Sequence, residues 1–204
     1  MDLVNENDAV LDEEALLRVA TLVKDAAQKE VIYKKAIAKF ESPRAQYNLA
    51  ALYLKQGKDD KAEDYLKGLQ EDADVLNAQG VLALHQDKLA AAEDAFRRAG
   101  TPAAQANLGV VLILTGRYEE ALNVLKDTQG CPHNTVLAYL LTDQPEAALQ
   151  KATCQDPKVW YLKAIAAARL GKADDVKACL EKAFANPDLK ERAARDIELA
   201  GYEF

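Results

Sequence analysis

The chain of 204 residues has no long hydrophobic run. Its densest apolar stretch, VVLIL at residues 110–114, is far shorter than the roughly 20 residues of a membrane-spanning helix, so we expect no membrane span. The acidic start of the chain, MDLVNENDAVLDEE, has no basic region followed by an apolar core and does not resemble a signal peptide. Two localisations stay open. The protein is cytoplasmic, or it is the mature or excised part of a secreted chain of the cell envelope or periplasm.

Positive charge and aromatic residues are also scarce. Lys and Arg number 26 against 33 Asp and Glu, which gives a net charge of −7 and a pI of about 5.0. Because a phosphate backbone is bound by concentrated Lys and Arg, this balance argues against a nucleic-acid partner. Hydrophobic residues make up 50% of the chain and charged residues 29%, as in a folded protein. An alanine-rich composition with 6% aromatics favours helices.

Motifs that carry catalysis are missing. Gly109 and Gly116 lie beside the apolar run, but no Gly-Lys-Ser/Thr and no second strand follow, so they do not form a phosphate-binding loop. Pairs of acidic residues recur where helices are expected to begin, and there they stabilise the positive end of the helix dipole. They have no acid–base partner nearby in the sequence. We therefore predict no enzyme and no cofactor. The acidic pairs are Asp59-Asp60, Glu119-Glu120 and Asp174-Asp175.

The chain does contain an internal repeat. Each copy begins with a small residue, and a second small or β-branched residue follows twelve positions later. A polar turn residue lies between these two. A further residue, most often a large apolar one, follows four positions after the second. Successive turn residues are 30, 29, 27 and 28 positions apart by subtraction. The five sets are Ala50, Gly57, Ala62 and Leu66; Gly80, Asp87, Ala92 and Phe96; Gly109, Gly116, Ala121 and Leu125; Val136, Asp143, Ala148 and Ala152; and Ala164, Gly171, Val176 and Leu180.

Each repeat has the pattern of two helices joined by a turn. In the third, Val111, Leu112 and Leu114 are expected to pack inside the hairpin. Gly109 and Ala121 are small because the two helices approach closely there, and a bulkier residue would cost about 1–3 kcal/mol. Val110 and Ile113 are expected on the outer face of the hairpin.

The repeat resembles the tetratricopeptide repeat, or TPR. That family has Leu-Gly, an aromatic residue three positions later, then Ala, a large apolar residue and a late Pro. Leu108-Gly109, Ala121 and Leu125 match this pattern, as do Trp160 and the closing Asn186-Pro187. The resemblance covers roughly residues 43–188. Units of 27 to 30 residues are shorter than the usual 34, and the missing residues fall after the second helix. We therefore expect a tightly or irregularly wound array.

The resemblance implies an all-α fold, an α-solenoid of about five to six shortened helix-turn-helix repeats with a C-terminal capping helix. In the tail, Ala193, Ile197 and Ala200 are expected to form its apolar side. Residues 161–202 are also similar to the end of some large bacterial cell-envelope TPR proteins, in which the array is one region of a longer secreted chain. The predicted single array comprises a degenerate repeat at 10–42, repeats at 43–72, 73–101, 102–128, 129–156 and 157–187, and the cap at 188–204.

The cysteines fall at the ends of one predicted hairpin. Cys131 opens its first helix and Cys154 closes its second, so an antiparallel hairpin would bring them within the Cα separation of a disulfide, about 4.4–6.8 Å. If the protein is secreted, this pair is a candidate disulfide and separate thiols are the alternative; if it is cytoplasmic, all three cysteines are free thiols. A metal site of Cys131, His133 and Cys154 is conceivable, but no HExxH or paired CxxC pattern accompanies it, so we predict no metal. Cys179 is expected to be a small core residue.

A TPR array implies a non-enzymatic scaffold that binds a protein or peptide in a groove lined by the first helices. We expect an apolar helix or an extended segment there. It would come from a partner, from the rest of a longer parent chain, or from a second copy in a homo-oligomer. The predicted groove residues are Arg44, Tyr47, Asn48, Ala51, Leu54, Asn77, Val81, Leu84, Asn107, Val110, Ile113, Asn134, Leu137, Tyr161 and Ile165.

Three alternatives remain open at this stage. Tight winding would close the groove and turn its apolar residues into core. Asn48, Asn107 and Asn134 occupy equivalent positions, where some TPR domains hold a peptide carboxylate, but the clustered Lys or Arg of that clamp is missing, so we favour local hydrogen bonds for these asparagines. The alternative function is a structural spacer or oligomerisation region of a larger cell-envelope protein.

Overall fold

The computed structural model describes residues 11–128 and 130–204. These ranges contain thirteen α-helices and one 3-10 turn but no β-strand, which confirms the predicted all-α fold. Residues 1–10 of the acidic start, and with them position 10, where the degenerate repeat is expected to begin, lie outside the described residues, as does Gln129. The elements are α1 Glu13–Leu22, α2 Ala26–Phe40, α3 Pro43–Lys55, α4 Asp59–Leu66, α5 Ala73–His85, α6 Leu89–Ala99, α7 Pro102–Leu114, α8 Tyr118–Leu125, α9 His133–Leu141, α10 Pro145–Lys151, α11 Pro157–Arg169, α12 Ala173–Ala183, α13 Pro187–Ala193 and the 3-10 turn Ile197–Leu199.

The helices group into two compact units, Met1–Ala104 (unit 1) and Gln105–Phe204 (unit 2). In unit 1, α1 with α2, α3 with α4, and α5 with α6 pack as sequential pairs, and α3 also packs against α5. In unit 2, α9 with α10 and α11 with α12 form such pairs, and α9 also packs against α8 and α11. Within each unit, hairpins therefore stack through their first helices, as a solenoid of helical repeats requires.

In the hairpins α3–α4, α5–α6 and α11–α12, the two helices begin in different ways. The side chains of Asp12, Ser42, Asp72 and Asp156 accept hydrogen bonds from backbone N–H groups in the first turns of α1, α3, α5 and α11. Such a cap gives a partner to an N–H group that has none within the helix. The second helices α4, α6, α8, α10 and α12 have no side-chain cap. Their starting points must therefore be fixed by the turn that precedes them.

A left-handed residue forms each of these turns. The predicted turn residues have positive φ angles: Gly57 67°, Asp87 57°, Gly116 76°, Asp143 55° and Gly171 68°. In every case the next residue donates its N–H to the carbonyl oxygen five residues back, at 2.8–3.0 Å, the hydrogen bond that ends a helix in a Schellman motif. The prediction of a turn at these five positions is confirmed. All five hairpins have three residues between their helices.

The connections between hairpins vary in length instead. Two residues, 100–101, separate α6 from α7, whereas six residues, 67–72, separate α4 from α5. Second helices have 7 to 11 residues, against 13 in most first helices. The turn of each hairpin is thus constant in length. The second helices, the connections between hairpins and the short first helix α9 all contribute to the differences in repeat length, so the prediction that these differences fall after the second helix holds only in part.

Two helical glycines permit close contact inside a hairpin. A Cβ atom added at Gly109 would lie 2.4 Å from Leu125 Cγ and Cδ2, and one added at Gly80 would lie 2.5 Å from the Phe96 ring. Both distances are shorter than real contacts allow. The close approach predicted at Gly109 is confirmed, although the atoms nearest to it belong to Leu125 on α8 and not to Ala121.

The apolar run of α7 is only partly buried as expected. Val111 and Leu112 are fully buried, which confirms their predicted place in the hairpin. Leu114 is 59% exposed, so the prediction that it packs inside is wrong. Leu114 is the last residue of α7, beside the Gly116 turn, and α8 begins only at Tyr118. Leu114 therefore lies at the turn end of the hairpin, where most of its side chain is exposed.

The C-terminal segment differs from the predicted helix over 188–204. Helix α13 ends at Ala193, and Asp196 starts a separate 3-10 turn by accepting a hydrogen bond from the Glu198 N–H at 3.0 Å. Ile197 is 89% exposed and Ala200 is exposed as well, so neither belongs to the buried side. Leu189, Ala193 and Leu199 supply the apolar contacts instead.

Hydrogen bonds and an ion pair hold this segment against α11. The Tyr161 hydroxyl donates to the Asp196 carboxylate, and the Tyr202 hydroxyl donates to the Ala168 carbonyl at 3.2 Å. The Arg169 Nε lies 3.0 and 3.1 Å from the two carboxylate oxygens of Glu198. The chain beyond Ala193 therefore covers part of the last hairpin, which is the role of a terminal cap in a repeat array.

Candidate functional site

The predicted groove has its clearest geometry in unit 1. Arg44, Tyr47 and Asn48 on α3 line one side of a hollow of about 600 Å³, which we call the unit 1 hollow. Its other side is the connection between α4 and α5 together with the first turn of α5. The residues on that side are Gly68, Leu69, Gln70, Asp72, Asp74 and Val75. The positions carried over from the family thus supply half of this hollow, and a loop supplies the other half.

Tyr47 is the aromatic group of the unit 1 hollow. Its side chain is half-buried. Burial, and then the negative charges of Asp74 and Asp72, raise the pKa of Tyr47 above the ordinary tyrosine value. The hydroxyl therefore stays protonated near neutral pH and can donate a hydrogen bond to a ligand, while the ring offers an apolar contact.

The guanidinium of Arg44 forms an ion pair with Glu14. Its Nη1 lies 3.0 Å from the Glu14 carboxylate of α1, which also accepts from Arg18 at 3.3 Å. These hydrogen bonds, that from Arg44 first, lower the pKa of Glu14 below the ordinary glutamate value. All the groups involved are exposed, so the pair orients Arg44 more than it stabilises the fold.

Loop residues are the part of this site that sequence reasoning missed. Gln70 and Asp72 line the unit 1 hollow from the loop, and Asp74 lines it from the first turn of α5, before the predicted groove positions of that helix. One clue was present, because an aspartate before the apolar residues of α5 is typical of a helix cap. Asp72 does cap α5, accepting from Val75 N–H at 2.8 Å, and this hydrogen bond fixes the end of the loop against the hollow.

The other predicted groove residues of unit 1 differ in accessibility. Leu54 is buried, with 7% of its surface exposed, and it belongs to the core of the unit. Ala51, Asn77, Val81 and Leu84 are half-buried. Leu54 therefore contributes to stability and presents little surface to a ligand.

In unit 2 the predicted groove residues fall into two groups. Asn107, Val110, Ile113, Asn134 and Leu137 are half-buried and retain some exposed surface. Two others are buried in the core around α11: Tyr161 is 2% and Ile165 9% exposed.

For these two residues the expectation of an accessible groove position is wrong. The hydroxyl of Tyr161 is held by Asp196 of the terminal segment. Burial, and then the hydrogen bond to Asp196, raise its pKa well above the ordinary tyrosine value. The Tyr161 side chain therefore presents almost no surface to a ligand.

Cys131 and Cys154 form a disulfide in the structure, with their Cα atoms 5.6 Å apart. The bridge joins the segment before α9 to the segment after α10, the two open ends of one hairpin. Disulfide sulfurs are not the thiolates that a zinc site needs. Within the described residues no group of three His, Cys, Asp or Glu side chains is placed to hold a metal ion. Cys179 is a free thiol and is buried, as expected of a core residue.

His133, at the start of α9, lies near this bridge in sequence. Burial, followed by the positive charge of Lys158, lowers the pKa of His133 below the ordinary histidine value, and Asp156 acts in the opposite direction. The imidazole is therefore neutral near physiological pH.

In the part of the chain that the structure describes, no helix has the length and apolar character needed to cross a membrane.

Comparison with known proteins agrees with the helical-repeat architecture. Residues 30–74 and 102–126 match the tetratricopeptide-repeat family. The comparison with curated proteins finds no match to this sequence.

Solved structures share the fold at low sequence identity. PilF of Pseudomonas aeruginosa is 15% identical with a TM-score of 0.72, over 93% of this chain and 95% of that one. A tetratricopeptide repeat protein from Parabacteroides merdae is 14% identical with a TM-score of 0.68, over 97% of this chain and 87% of that one. A chain of the APC/C hetero-tetramer Cut9–Hcn1 is 16% identical with a TM-score of 0.75, over 98% of this chain and 43% of that one.

These matches agree with the features read from the residues themselves. The hairpins have constant three-residue turns, small residues where their helices meet, and first helices that pack on first helices within each unit. Residues 30–74 and 102–126 thus match tetratricopeptide repeats in sequence, and the described chain shares the helical-repeat fold of tetratricopeptide-repeat proteins.

Proposed function

We propose that the chain binds a segment of a protein partner on the first-helix face of unit 1, with the unit 1 hollow as its centre. The tetratricopeptide repeat is in general a non-enzymatic protein-interaction scaffold, and this gives the broad class. The proposal adds a place on the molecule. It rests on one observation, that Arg44, Tyr47 and Asn48, chosen from the repeat register alone, line the same hollow.

The composition of the hollow suits a peptide. A volume of about 600 Å³ accommodates several side chains, and it lies within the range of typical ligand pockets. A half-buried tyrosine surrounded by polar groups is typical of the residues that dominate binding energy at protein interfaces. The amides of Asn48 and Gln70 can both donate and accept, so they can pair with the backbone of an extended segment.

Unit 2 has apolar side chains of its own that a peptide segment could contact. Val110, Ile113 and Leu137 lie on first helices and are half-buried, so part of each side chain remains accessible. We include them in the proposed binding face of their own unit. Tyr161 and Ile165 are left out because the terminal segment and the core bury them.

The proposal is tested by selecting peptides from a random displayed library against the wild-type protein and measuring their affinities by fluorescence anisotropy. Tyr47→Ala should weaken the selected peptides at least about tenfold, close to 1.4 kcal/mol, because the ring is lost from the centre of the hollow. Tyr47→Phe should weaken them less, since it removes only the hydroxyl. Lys55→Ala is the matched control, because Lys55 is exposed on the same helix and does not line the hollow.

Unchanged affinity in Tyr47→Ala, with a fold shown intact by circular dichroism, would refute this place of binding. Binding that fails equally in Lys55→Ala would also refute it, because a nonspecific loss of helix would then be the cause. The two variants differ in their contact with the hollow and share the same helix.

The alternative is that the chain is a structural spacer or oligomerisation region of a larger cell-envelope protein. The disulfide Cys131–Cys154 favours this context, since such bonds persist in oxidising compartments. A spacer predicts that library selection yields no peptide specific for the hollow. An oligomerisation region predicts a mass above that of one chain, 22.3 kDa, in sedimentation equilibrium.

A further inference from the structure

Unit 2 contains a second hollow that includes none of the predicted groove residues. It has a volume of about 440 Å³ and lies between α10, α11 and α12. We call it the Trp160 hollow. Its principal lining residues are Leu149, Trp160, Lys163, Asp175, Cys179 and Lys182. The hollow therefore has apolar side chains, such as Trp160 and Leu149, next to the charged side chains of two lysines and one aspartate.

Two ammonium groups flank the indole ring of Trp160. Lys163, one turn further along α11, places its Nζ 4.8 Å from the ring centroid, and Lys182 of α12 places its Nζ at 4.0 Å. Both distances lie within the range of cation–π attraction. An aromatic ring stabilises a cation only through its quadrupole and does not neutralise the charge, so two positive charges remain beside each other.

In the stretches that the structure describes, neither Lys163 nor Lys182 has a carboxylate at ion-pair distance. Asp175 lines the same hollow without pairing to either ammonium. In a chain with a net charge of −7, this is a small region of excess positive charge beside an apolar wall.

The shape and composition limit what could bind here. Cys179 is 5% exposed, and burial is the main influence that raises the pKa of its thiol, so it is not an activated nucleophile. A small inorganic anion would contact the two lysines but would leave Trp160 and Leu149 uncovered. A peptide that carries carboxylates next to an apolar side chain would satisfy the lysines and the apolar wall together.

We propose that the Trp160 hollow binds an acidic, partly apolar segment of a protein partner, with its carboxylates on Lys163 and Lys182 and an apolar side chain against Trp160. This is a second binding site, independent of the unit 1 hollow. The affinity depends on exposed charges and therefore falls as salt rises.

Trp160 makes the test direct, because it is the only tryptophan in the chain. The probe is a short peptide, acetyl-Glu-Leu-Asp-Glu-amide, titrated while the tryptophan emission is recorded. We expect a saturable change in emission with this peptide and none with acetyl-Gln-Leu-Asn-Gln-amide. Replacing both lysines, Lys163→Gln with Lys182→Gln, should weaken the acidic peptide at least about tenfold.

Lys177→Gln is the matched control. Lys177 is exposed on α12 and does not line the hollow, so the change removes the same charge from the same helix and should leave the affinity as in wild type. Equal affinity in the double variant and wild type would overturn the proposal, as would equal binding of the neutral peptide. If sodium phosphate at matched ionic strength produces the same saturable change at the same concentrations, the hollow is a small-anion site and the proposed peptide segment is wrong.

Discussion

Single residues decide where the helices of this protein can meet. Gly80 and Gly109 lie in the first helices of their hairpins, each against a large buried side chain of the second helix. The two contacts, with Phe96 and Leu125, are equivalent in the repeat register. Glycine costs helix stability relative to alanine, about 1 kcal/mol, so its presence here reflects packing and not helix propensity.

We expect Gly109→Ala to destabilise the protein by about 1–3 kcal/mol, because a Cβ would overlap Leu125 and force it from its buried position. Part of this cost is offset by the better helix propensity of alanine. Denaturant unfolding followed by circular dichroism measures the difference. Gly201→Ala is the control, since a Cβ there meets no atom within 4 Å. A Gly109→Ala protein as stable as the control would contradict the close approach.

At this scale the sequence predicted turns better than burial. The turn residues were identified because glycine or aspartate recurs at a constant distance from small residues, and a left-handed backbone selects those residue types. Leu114 was placed inside the hairpin because its spacing is helical. Whether a helix end is covered depends on where the next helix begins, and periodicity does not contain that information.

At the level of elements, the three-residue turn of each hairpin is constant, and the helices and connections around it vary in length. The hairpin of α9 and α10 has the shortest helices of the five clear hairpins, 9 and 7 residues, and α9 begins without a side-chain cap. It is also the hairpin that the disulfide Cys131–Cys154 closes. The covalent link therefore supports the element with the least helix of its own.

Reduction of this disulfide should lower the stability of unit 2 by about 2–4 kcal/mol, because the unfolded chain regains the freedom that the cross-link removes. Unfolding in denaturant with and without a thiol reductant, followed by the emission of Trp160 in the same unit, gives the difference. Cys131→Ala with Cys154→Ala should match the reduced protein. An unreduced sample whose three cysteines all react with an alkylating reagent after unfolding would show that the bond does not form.

The terminal segment shows why elements are harder to predict than repeats. Residues 188–204 have the composition of a helix, but α13 ends at Ala193 and Asp196 caps a separate short turn. Tyr161 and Arg169 of α11 hold that turn in place. These contacts join residues about thirty positions apart, beyond any local pattern. The same holds for the unit 1 hollow. The α3 residues that line it could be predicted from the repeat register, whereas the loop residues that line it depend on how residues 67–72 fold.

For the whole molecule, charge limits the partners more than shape does. Residues 1–104 carry 14 Lys and Arg against 19 Asp and Glu, a net charge of −5. Residues 105–204 carry 12 against 14, a net charge of −2, and the two values add to the −7 of the chain. Neither part has the excess of positive charge that binding to a phosphate backbone needs.

We therefore expect no measurable binding of a DNA or RNA duplex at physiological ionic strength. A fluorescently labelled duplex followed by anisotropy is the measurement, and a peptide selected on the unit 1 hollow is the positive control for protein activity. Binding that weakens steeply with salt would show a local cluster of Lys and Arg strong enough to overcome the net charge, and would contradict this expectation.

The unequal connections between hairpins have a consequence for how such a protein can change in evolution. The loop between α4 and α5 is one of the connections whose length varies between repeats. The same loop lines one side of the unit 1 hollow. An insertion or deletion in that loop would remodel the hollow and leave the turns and helical contacts of both neighbouring hairpins in place. Ligand preference can therefore drift through loop length alone, at little cost to the fold, and designers can exchange this loop between repeat proteins to the same end.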